Sequence, residues 1–176
     1  MKKHFILSAI IFLAICAQAQ TFKVSAGPEV LKSINHDERF FGAGGSVQLD
    51  VWVREKLGLG INTGYLKFNQ TSAPLAGFSK KQYSLIPILG VIRYPLPIVK
   101  GLYGQDLMGY TLAQDVQSEA TGKKVAGGFT YYFALGYVFA DHFDISVKVG
   151  RSRLDKKDDP ANVNEHNLGL KLAYIF

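Results

Sequence analysis

The last nine residues of the chain alternate between two kinds of side chain up to the final position. One set is entirely large and apolar: Leu168, Leu170, Leu172, Tyr174 and Phe176. Because successive side chains of a strand point to opposite faces, a strand here has one apolar face that ends in two aromatic rings. A sheet in water seldom ends on its most hydrophobic strand, whereas a closed sheet in a membrane turns such a face to lipid. The C-terminus therefore predicts the closing strand of a membrane-spanning β-barrel.

The N-terminus predicts export. Two lysines at positions 2 and 3 precede an apolar stretch over residues 5–15, and Ala-Gln-Ala at 17–19 is a small-x-small cleavage site. This is the pattern of a Sec signal peptide, and the apolar stretch is shorter than the about 20 residues that a transmembrane helix needs. We therefore expect a cleavable signal peptide over residues 1–19 and a single barrel domain over residues 20–176.

Cys16 leaves one alternative open. In a lipoprotein this cysteine would carry the lipid and become the first mature residue, although Ile15 stands where a small residue is expected. If Cys16 instead leaves with the signal peptide, the mature chain has no cysteine, because the sequence contains only 1. The mature chain then needs neither a disulfide nor a thiolate metal site.

Composition narrows the range of partners. The formal charge is +6, and removal of the two signal lysines leaves 18 Lys and Arg against 14 Asp and Glu, or +4. The basic residues are scattered and interspersed with acidic ones, so we expect no nucleic-acid partner. The 18 glycines, 12 phenylalanines and 9 tyrosines suit a small barrel. In such a barrel glycine relieves crowding inside, and aromatic residues form belts at the membrane interfaces.

Period-two alternation predicts eight strands after the signal peptide. The first is weakened or bulged in its middle by Pro28 and Glu29, and the fifth is ambiguous because Gln105 and Asp106 fall on opposite faces. The predicted strands cover residues 21–31, 40–53, 57–68, 81–94, 100–112, 126–140, 142–154 and 165–176. The expected fold class is all-β, an eight-stranded antiparallel up-and-down transmembrane β-barrel.

The connections between these strands alternate in length. The long ones lie near residues 32–39, 69–80, 113–125 and 155–164, and the short ones near residues 54–56, 95–99 and 141. Outer-membrane barrels have long extracellular loops, short periplasmic turns and both termini in the periplasm, so the pattern predicts that orientation. Aromatic residues near the short turns and the C-terminus are expected to form a periplasmic girdle. They are Trp52, Tyr94, Phe139, Phe143 and Phe176.

Residues 86–94, Ile-Pro-Ile-Leu-Gly-Val-Ile-Arg-Tyr, resemble the IPLLLKY-type fourth strand of the small outer-membrane β-barrel domains common in Bacteroidota. The strand over residues 101–110, the aromatic C-terminal strand and Ala-Gln-Ala-Gln at 17–20 resemble the same family, over nearly the whole mature chain. Some members assist protein secretion, so the resemblance implies an accessory role in a secretion or envelope complex. Tyr174 and Phe176 resemble the C-terminal signal read by the barrel-assembly machinery, with Lys171 at a position where glycine is typical.

The main architectural rival is a soluble, lipocalin-like barrel. It would also carry a signal peptide and eight alternating strands, but its apolar face would point inward and its charged face outward. Here the face opposite the apolar one consists mostly of Gly, Ser, Asn, Thr and Ala. Such a face fits a narrow, packed, polar lumen better than a surface in water, and so favours the membrane barrel.

Three polar residues on one face of the predicted seventh strand invite a catalytic interpretation: His142, Asp144 and Ser146. Side chains at i and i+2 of a strand are about 6.6–7 Å apart at the backbone, which is loose for a nucleophile, its base and an orienting group. We therefore interpret these residues as part of a polar network that lines the lumen, and we expect no catalytic residue.

Two loop clusters, His36-Asp37-Glu38 and Glu165-His166, could meet because the first and last strands of a closed barrel are neighbours. Two histidines with carboxylates could bind a divalent metal ion. Charges of this kind also keep a loop mouth soluble, which is the preferred interpretation. We therefore expect no metal site and no cofactor.

Five charged residues are candidates for ion pairs inside the lumen: Asp50, Arg93, Asp144, Lys148 and Lys171. Their register stays open, and in one alternative Arg93 faces outward at the membrane interface. An eight-stranded barrel is just wide enough for its own side chains, so a substantial pore is not expected.

Two loops stand out beside these candidates. Residues 155–159 predict a charged, solvated loop. A partner or lipopolysaccharide could touch an apolar patch in the second long connection. The patch consists of Pro74, Ala76, Gly77 and Phe78.

Three functional hypotheses are compatible with these sequence features. The preferred one is a non-enzymatic outer-membrane barrel, exported through the Sec pathway, with a structural, adhesive or accessory role. Its expected partners are outer-membrane lipid, the barrel-assembly machinery and an envelope or secretion protein. The second is a conduit for small or hydrophobic solutes, for which the glycine-rich inner faces of the second, third and sixth strands leave space. The third is a lipid-modifying enzyme that uses the loop histidines, but the sequence has no nucleophile elbow, zinc spacing or phosphate-binding glycine loop.

Overall fold

A computed structural model of the chain describes residues 19–34, 40–53, 56–70, 82–114, 125–156 and 163–176. In these ranges the chain forms eight strands, each antiparallel to its sequence neighbours, and the last pairs with the first to close the sheet. This confirms the expected eight-stranded up-and-down barrel. The strands are β1 (Ala19–Ser33), β2 (Phe40–Val53), β3 (Leu57–Gln70), β4 (Gln82–Pro95), β5 (Leu102–Gln114), β6 (Val125–Phe139), β7 (Phe143–Lys156) and β8 (Val163–Ile175).

Several predicted features lie outside the described residues. These are residues 1–18 of the signal peptide, which include Cys16, the loop cluster at 36–38, the apolar loop patch at 74–78 and the charged loop from residue 157 onward. Within the described part of the chain, no helix is long and apolar enough to cross a membrane.

The connections alternate in length. Those at one end of the barrel have six, eleven, ten and six residues, and those at the other end have three, six and three. We call these the long-connection end and the short-turn end. The fifth strand starts two residues later than predicted, because Gly101 closes the preceding turn with a φ of 90°, a backbone conformation that favours glycine.

The middle of β1 contains no bulge. Its register against β2 runs unbroken through Pro28, and its register against β8 is the same on both sides of this proline, at Ala26 and at Glu29. Proline has no N–H to donate, so only the local hydrogen bonding to β8 is affected. Glu29 therefore keeps the parity of its strand, and its side chain points into the barrel.

Hydrogen-bonding rows across the sheet are inclined to the barrel axis. A row that starts at Gln114 passes through Lys67 on β3 and Leu170 on β8, and returns to β5 at Gly104, ten residues away. This stagger tilts the strands and closes a barrel whose interior is narrow enough for side chains to fill. It also brings distant strands to the same level inside the lumen.

β8 presents the face that its sequence predicts. Leu170, Leu172 and Tyr174 point outward with 42–46% of their surface exposed, whereas Asn167 and Lys171 point inward with 0% and 7% exposed. Strands β6 and β7 show the same division into an apolar outer face and an inner face of small, polar and charged residues. The lipocalin-like alternative needs the reverse arrangement and is therefore wrong.

Close to the long-connection end the outer face becomes polar and the inner face apolar, although inward and outward residues continue to alternate. On β3, Lys67 points outward and Phe68 is fully buried inside, and on β7 the outward Arg153 precedes the buried Leu154. The inward residues here form an apolar cluster of Leu31, Leu66, Phe68, Tyr83, Leu85 and Leu154. A second apolar cluster contains Leu89, Val91, Leu107, Tyr132 and Ala134. The expected polar lumen is therefore only partly correct, because apolar packing fills it at two levels.

One residue of the expected aromatic girdle lies elsewhere. Trp52 has the inward parity of the polar residues on β2, and the Lys23 amine lies 5.5 Å from the centre of its ring. Outward aromatic residues do cluster at the short-turn end, where Tyr174 contacts Phe143 and Phe176 with ring centres 5.6 and 5.2 Å apart. The prediction for Trp52 is wrong because nearness to a short turn was given more weight than strand parity.

Inward glycines make room for aromatic rings rather than for a channel. Gly136 lies against the ring of Tyr103 and Gly42 against the ring of Phe68, so closely that a Cβ atom at either position would overlap ring atoms. Both rings are buried, with 3% and 0% of their surface exposed. The space that the glycines offered to a conduit is therefore occupied at these positions.

We expect the substitution Gly136→Ala to lower the free energy of unfolding by about 1–3 kcal/mol, because the added methyl group overpacks against Tyr103. That ring cannot easily move away, since its hydroxyl donates to Asp144 and the Arg93 guanidinium lies 4.1 Å from its centre. Urea unfolding in detergent, followed by circular dichroism, measures the loss. Gly90→Ala is the matched control, because Gly90 faces outward and a Cβ atom there makes only an ordinary contact at 3.6 Å. Equal stability of the two variants would contradict the expectation.

Candidate functional site

A single guanidinium joins two carboxylates across the lumen near the short-turn end. Arg93 on β4 lies 3.3 Å from Asp50 on β2 and 3.0 Å from Asp144 on β7. All three side chains are at most 4% exposed. A buried ion triad of this kind persists only when charges and hydrogen bonds are satisfied locally. The alternative in which Arg93 faces the membrane interface is therefore wrong.

Neutral polar groups complete this layer. The Arg93 Nε donates to Oε1 of Gln105 at 2.9 Å, and Nε2 of Gln48 donates to Asp50 at 2.9 Å and to Gln105 at 3.2 Å. Because Gln48 is on β2 and Gln105 on β5, their contact crosses the lumen. We call the set of Arg93, Asp50, Asp144, Tyr103, Gln48 and Gln105 the Arg93 layer.

A second polar layer lies closer to the long-connection end. The Lys148 amine on β7 forms an ion pair with Glu29 on β1, and the Ser46 hydroxyl donates to the same carboxylate at 2.8 Å. The Lys148 amine also lies 4.6 Å from the centre of the Tyr132 ring. Lys171, directly opposite Glu29 in the β1–β8 register, is buried, and its Nζ has no hydrogen-bond partner among the described residues.

The structure places all five predicted lumen charges inside the barrel. Asp50, Arg93 and Asp144 share one layer, and Lys148 and Lys171 flank Glu29 in the other. The sequence did not identify Glu29 as a lumen charge, because Pro28 beside it predicted a weakened or bulged strand. Strand parity was the signal that could have found it, because two inward lysines on β7 and β8 require a nearby carboxylate.

The polar trio of β7 does not assemble. Asp144 belongs to the Arg93 layer and Ser146 is half-buried, but His142 is exposed in the turn before β7 begins. Its ring stacks on Tyr174 at 5.5 Å, and its Nδ1 lies 3.2 Å from the Ile175 carbonyl oxygen. The interpretation of His142 as a lumen residue is therefore wrong, because strand parity does not extend into a turn.

The two halves of the Glu165-His166 loop cluster face opposite ways. Glu165 points inward and accepts a hydrogen bond from the Tyr83 hydroxyl at 2.9 Å, whereas His166 is exposed on the outer face. They lie within β8 rather than in a loop. The described ranges contain no group of three or more His, Cys, Asp or Glu residues that could hold a metal ion.

A cavity of about 450 Å³ opens at the short-turn end. Lys23, Trp52 and Lys100 line it, and the buried Arg93 and Tyr103 lie at its inner limit. It is a vestibule to the Arg93 layer.

The fold resembles solved structures of small barrels. Ail, the attachment invasion locus protein of Yersinia pestis, is 12% identical, with 88% of this chain and 97% of that chain covered and a TM-score of 0.56. Neisserial surface protein A is 12% identical, with 88% and 94% covered and a TM-score of 0.53. A structure of Ail in complex with the heparin analogue sucrose octasulfate is 15% identical, with 88% and 97% covered and a TM-score of 0.54.

These likenesses establish the fold class, that of small eight-stranded outer-membrane barrels, and nothing finer. No protein-family model and no curated protein sequence matches the chain.

Proposed function

We propose that this chain, which has the fold of small eight-stranded outer-membrane barrels, is an integral outer-membrane protein without enzymatic activity. It works through its exposed ends, in an adhesive or accessory role. The observation that carries the proposal is the closed interior. Because side chains bridge the lumen at several levels, the surfaces left for function are the outer face and the two ends.

Three contacts between distant strands support a closed lumen. Arg93 and Asp144 connect β4 to β7, Gln48 and Gln105 connect β2 to β5, and Tyr83 and Glu165 connect β4 to β8. The apolar cluster around Phe68 adds a packed apolar layer near the long-connection end. Solute passage would require several buried hydrogen bonds and ion pairs to break together, which argues against the conduit.

The membrane location is supported by the outer face. Its exposed apolar side chains form a band between the aromatic cluster at the short-turn end and the cations near the long-connection end. Exposed apolar surface of this extent is unfavourable in water, but a barrel needs it where its outer face contacts lipid chains. We propose export through the Sec pathway, recognition of the strand ending at Phe176 by the barrel-assembly machinery, and long connections on the outside.

An adhesive role is also consistent with one structural neighbour, since Ail is named an attachment invasion locus protein and has been solved with a heparin analogue. Fold alone does not carry function, so the specific ligand must come from the connections. The resemblance to secretion-accessory barrels points instead to a protein partner in the envelope. Both roles make the same prediction: the barrel does not conduct solutes, and it binds its ligand or partner through its long-connection end.

We expect the purified barrel, reconstituted into liposomes, to show no more sugar permeability than empty liposomes. Mild extraction from the outer membrane followed by mass spectrometry should recover a stoichiometric partner, or intact cells should adhere through the protein. Replacing residues 71–81 with a Gly-Ser segment of equal length should abolish binding, whereas replacing residues 54–56 in a short turn should not. Sugar flux comparable to that of an open porin would contradict the proposal.

A further inference from the structure

The charged residues on the outer face are distributed unevenly. In the strand segments whose side chains are described, the outward Lys and Arg residues are Lys32, Lys67, Arg151 and Arg153, all near the long-connection end. Asp106 is the outward carboxylate of these segments, and it lies toward the short-turn end on β5. On this face of these segments, the described cations and the described carboxylate thus lie toward opposite ends of the barrel.

Two of these cations lie close together, on the strands at either side of β8. Arg151 on β7 lies directly opposite His166 on β8, and Lys32 on β1 lies opposite Leu168, the next outward residue of β8. From strand spacing and rise, the Cα atoms of Arg151 and Lys32 are about 12 Å apart. Each side chain reaches about half that distance when extended, so both can contact one anionic group placed between them.

An apolar groove begins directly beside Lys32. It has a volume of about 260 Å³ and runs over the outer face of β7, β8, β1 and β2. Its outward lining residues other than Lys32 are apolar, namely Val30, Phe41, Val147, Leu168 and Leu170. A groove of this shape, apolar along its length and cationic at one end, matches an acyl chain with an anionic headgroup.

We propose that this groove binds one phosphorylated, acylated lipid of the outer leaflet. An acyl chain lies against Val147 and Leu170, and a phosphate is held by Lys32 and Arg151. Arginine suits this role because its planar guanidinium binds phosphate oxygens in a bidentate way. A second copy of the chain fits the site less well, because a symmetric contact would bring the same cations together. The inference rests on the proposed membrane location and deepens it.

The test is native mass spectrometry of the full barrel in detergent, titrated with diphosphorylated lipid A and with the same lipid after removal of both phosphates. We expect one tightly bound phosphorylated lipid per barrel, and weaker binding of the dephosphorylated form. The double variant Lys32→Gln and Arg151→Gln should lose at least about tenfold in affinity, since two charge-assisted contacts are removed. Lys67→Gln is the matched control, because Lys67 is an outward cation near the same end but lies outside the groove.

A further variant tests the groove separately from the charges. Val147→Trp fills the groove and leaves both cations in place, so it should also weaken binding. Equal binding of the two lipids, an equal loss in Lys67→Gln, or unchanged affinity in Val147→Trp would each overturn the proposal. Heat-dependent mobility in gel electrophoresis verifies that every variant is folded. If the double variant does not fold, the single variants Lys32→Gln and Arg151→Gln take its place in the binding measurement. Density-gradient fractionation tests the membrane location independently, so failure of one proposal can be told from failure of the other.

Discussion

The substitution Arg93→Leu is expected to lower the free energy of unfolding by about 3–5 kcal/mol. It leaves Asp50 and Asp144 buried, with 2% and 1% of their surface exposed, without the cation that both contact. An uncompensated buried charge costs far more than the loss of the ion pair itself, because the charge has left water and the remaining neutral donors, Gln48 and Tyr103, do not balance it. Trp52 is the single tryptophan of the chain and lines the vestibule beside Arg93, so its fluorescence reports unfolding in urea.

Two controls separate this effect from a general loss of charge. Lys67→Leu removes a cation that is exposed on the outer face, and should change stability by no more than about 0.5 kcal/mol. The triple variant Arg93→Leu, Asp50→Asn and Asp144→Asn removes the stranded carboxylates and should recover much of the loss. If Arg93→Leu proves as stable as Lys67→Leu, the Arg93 layer does not hold the lumen together.

The substitution Leu170→Arg is expected to destabilise the barrel in lipid by about 2–4 kcal/mol. Leu170 points outward on β8, midway between His166 near the long-connection end and Tyr174 in the aromatic cluster. An arginine there would place a charge near the centre of the apolar band, where neither water nor a protein partner can solvate it. Urea unfolding of barrels inserted into phospholipid vesicles measures the difference, and the yield of insertion gives a second readout.

Asn164→Arg is the matched control for this prediction. Asn164 is also outward on β8 but lies six residues closer to the long-connection end, where a charge should cost only about 0–1 kcal/mol. Equal stability of the two arginine variants would show that the outer face of β8 is not in the hydrocarbon region. The division of the strand into lipid-facing and lumen-facing residues would then have to be abandoned.

The assignment of β8 shows how much of the fold a local pattern can predict. Alternation along its last residues identified both the outward-facing leucines and the inward Lys171, and the structure agrees at each of those positions. The same reasoning failed where the period of two ends. His142 lies in a turn rather than in a strand, and Trp52 was assigned by its nearness to a turn although its parity places it inside.

The lumen contacts show what the pattern could not predict. Parity identified Arg93, Asp144 and Lys148 as candidates, but it could not say which carboxylate meets which cation. Arg93 and Asp144 are 51 positions apart, and Lys148 and Glu29 are 119 apart. No local feature of the chain relates such distant positions, and Glu29 was not recognised as a partner at all.

The sequence by itself determined the strand number, the antiparallel order and, for regularly alternating strands such as β6, β7 and β8, the side that faces outward. These follow from a repeat of two residues and from connection lengths, which are local properties of the chain. Only the tertiary structure decided which inward groups meet, which of them bridge the lumen, and that Lys32 lies beside a groove on the outer face. Those relations depend on how far each strand is staggered against the next around the closed barrel, a quantity that all eight strands set together.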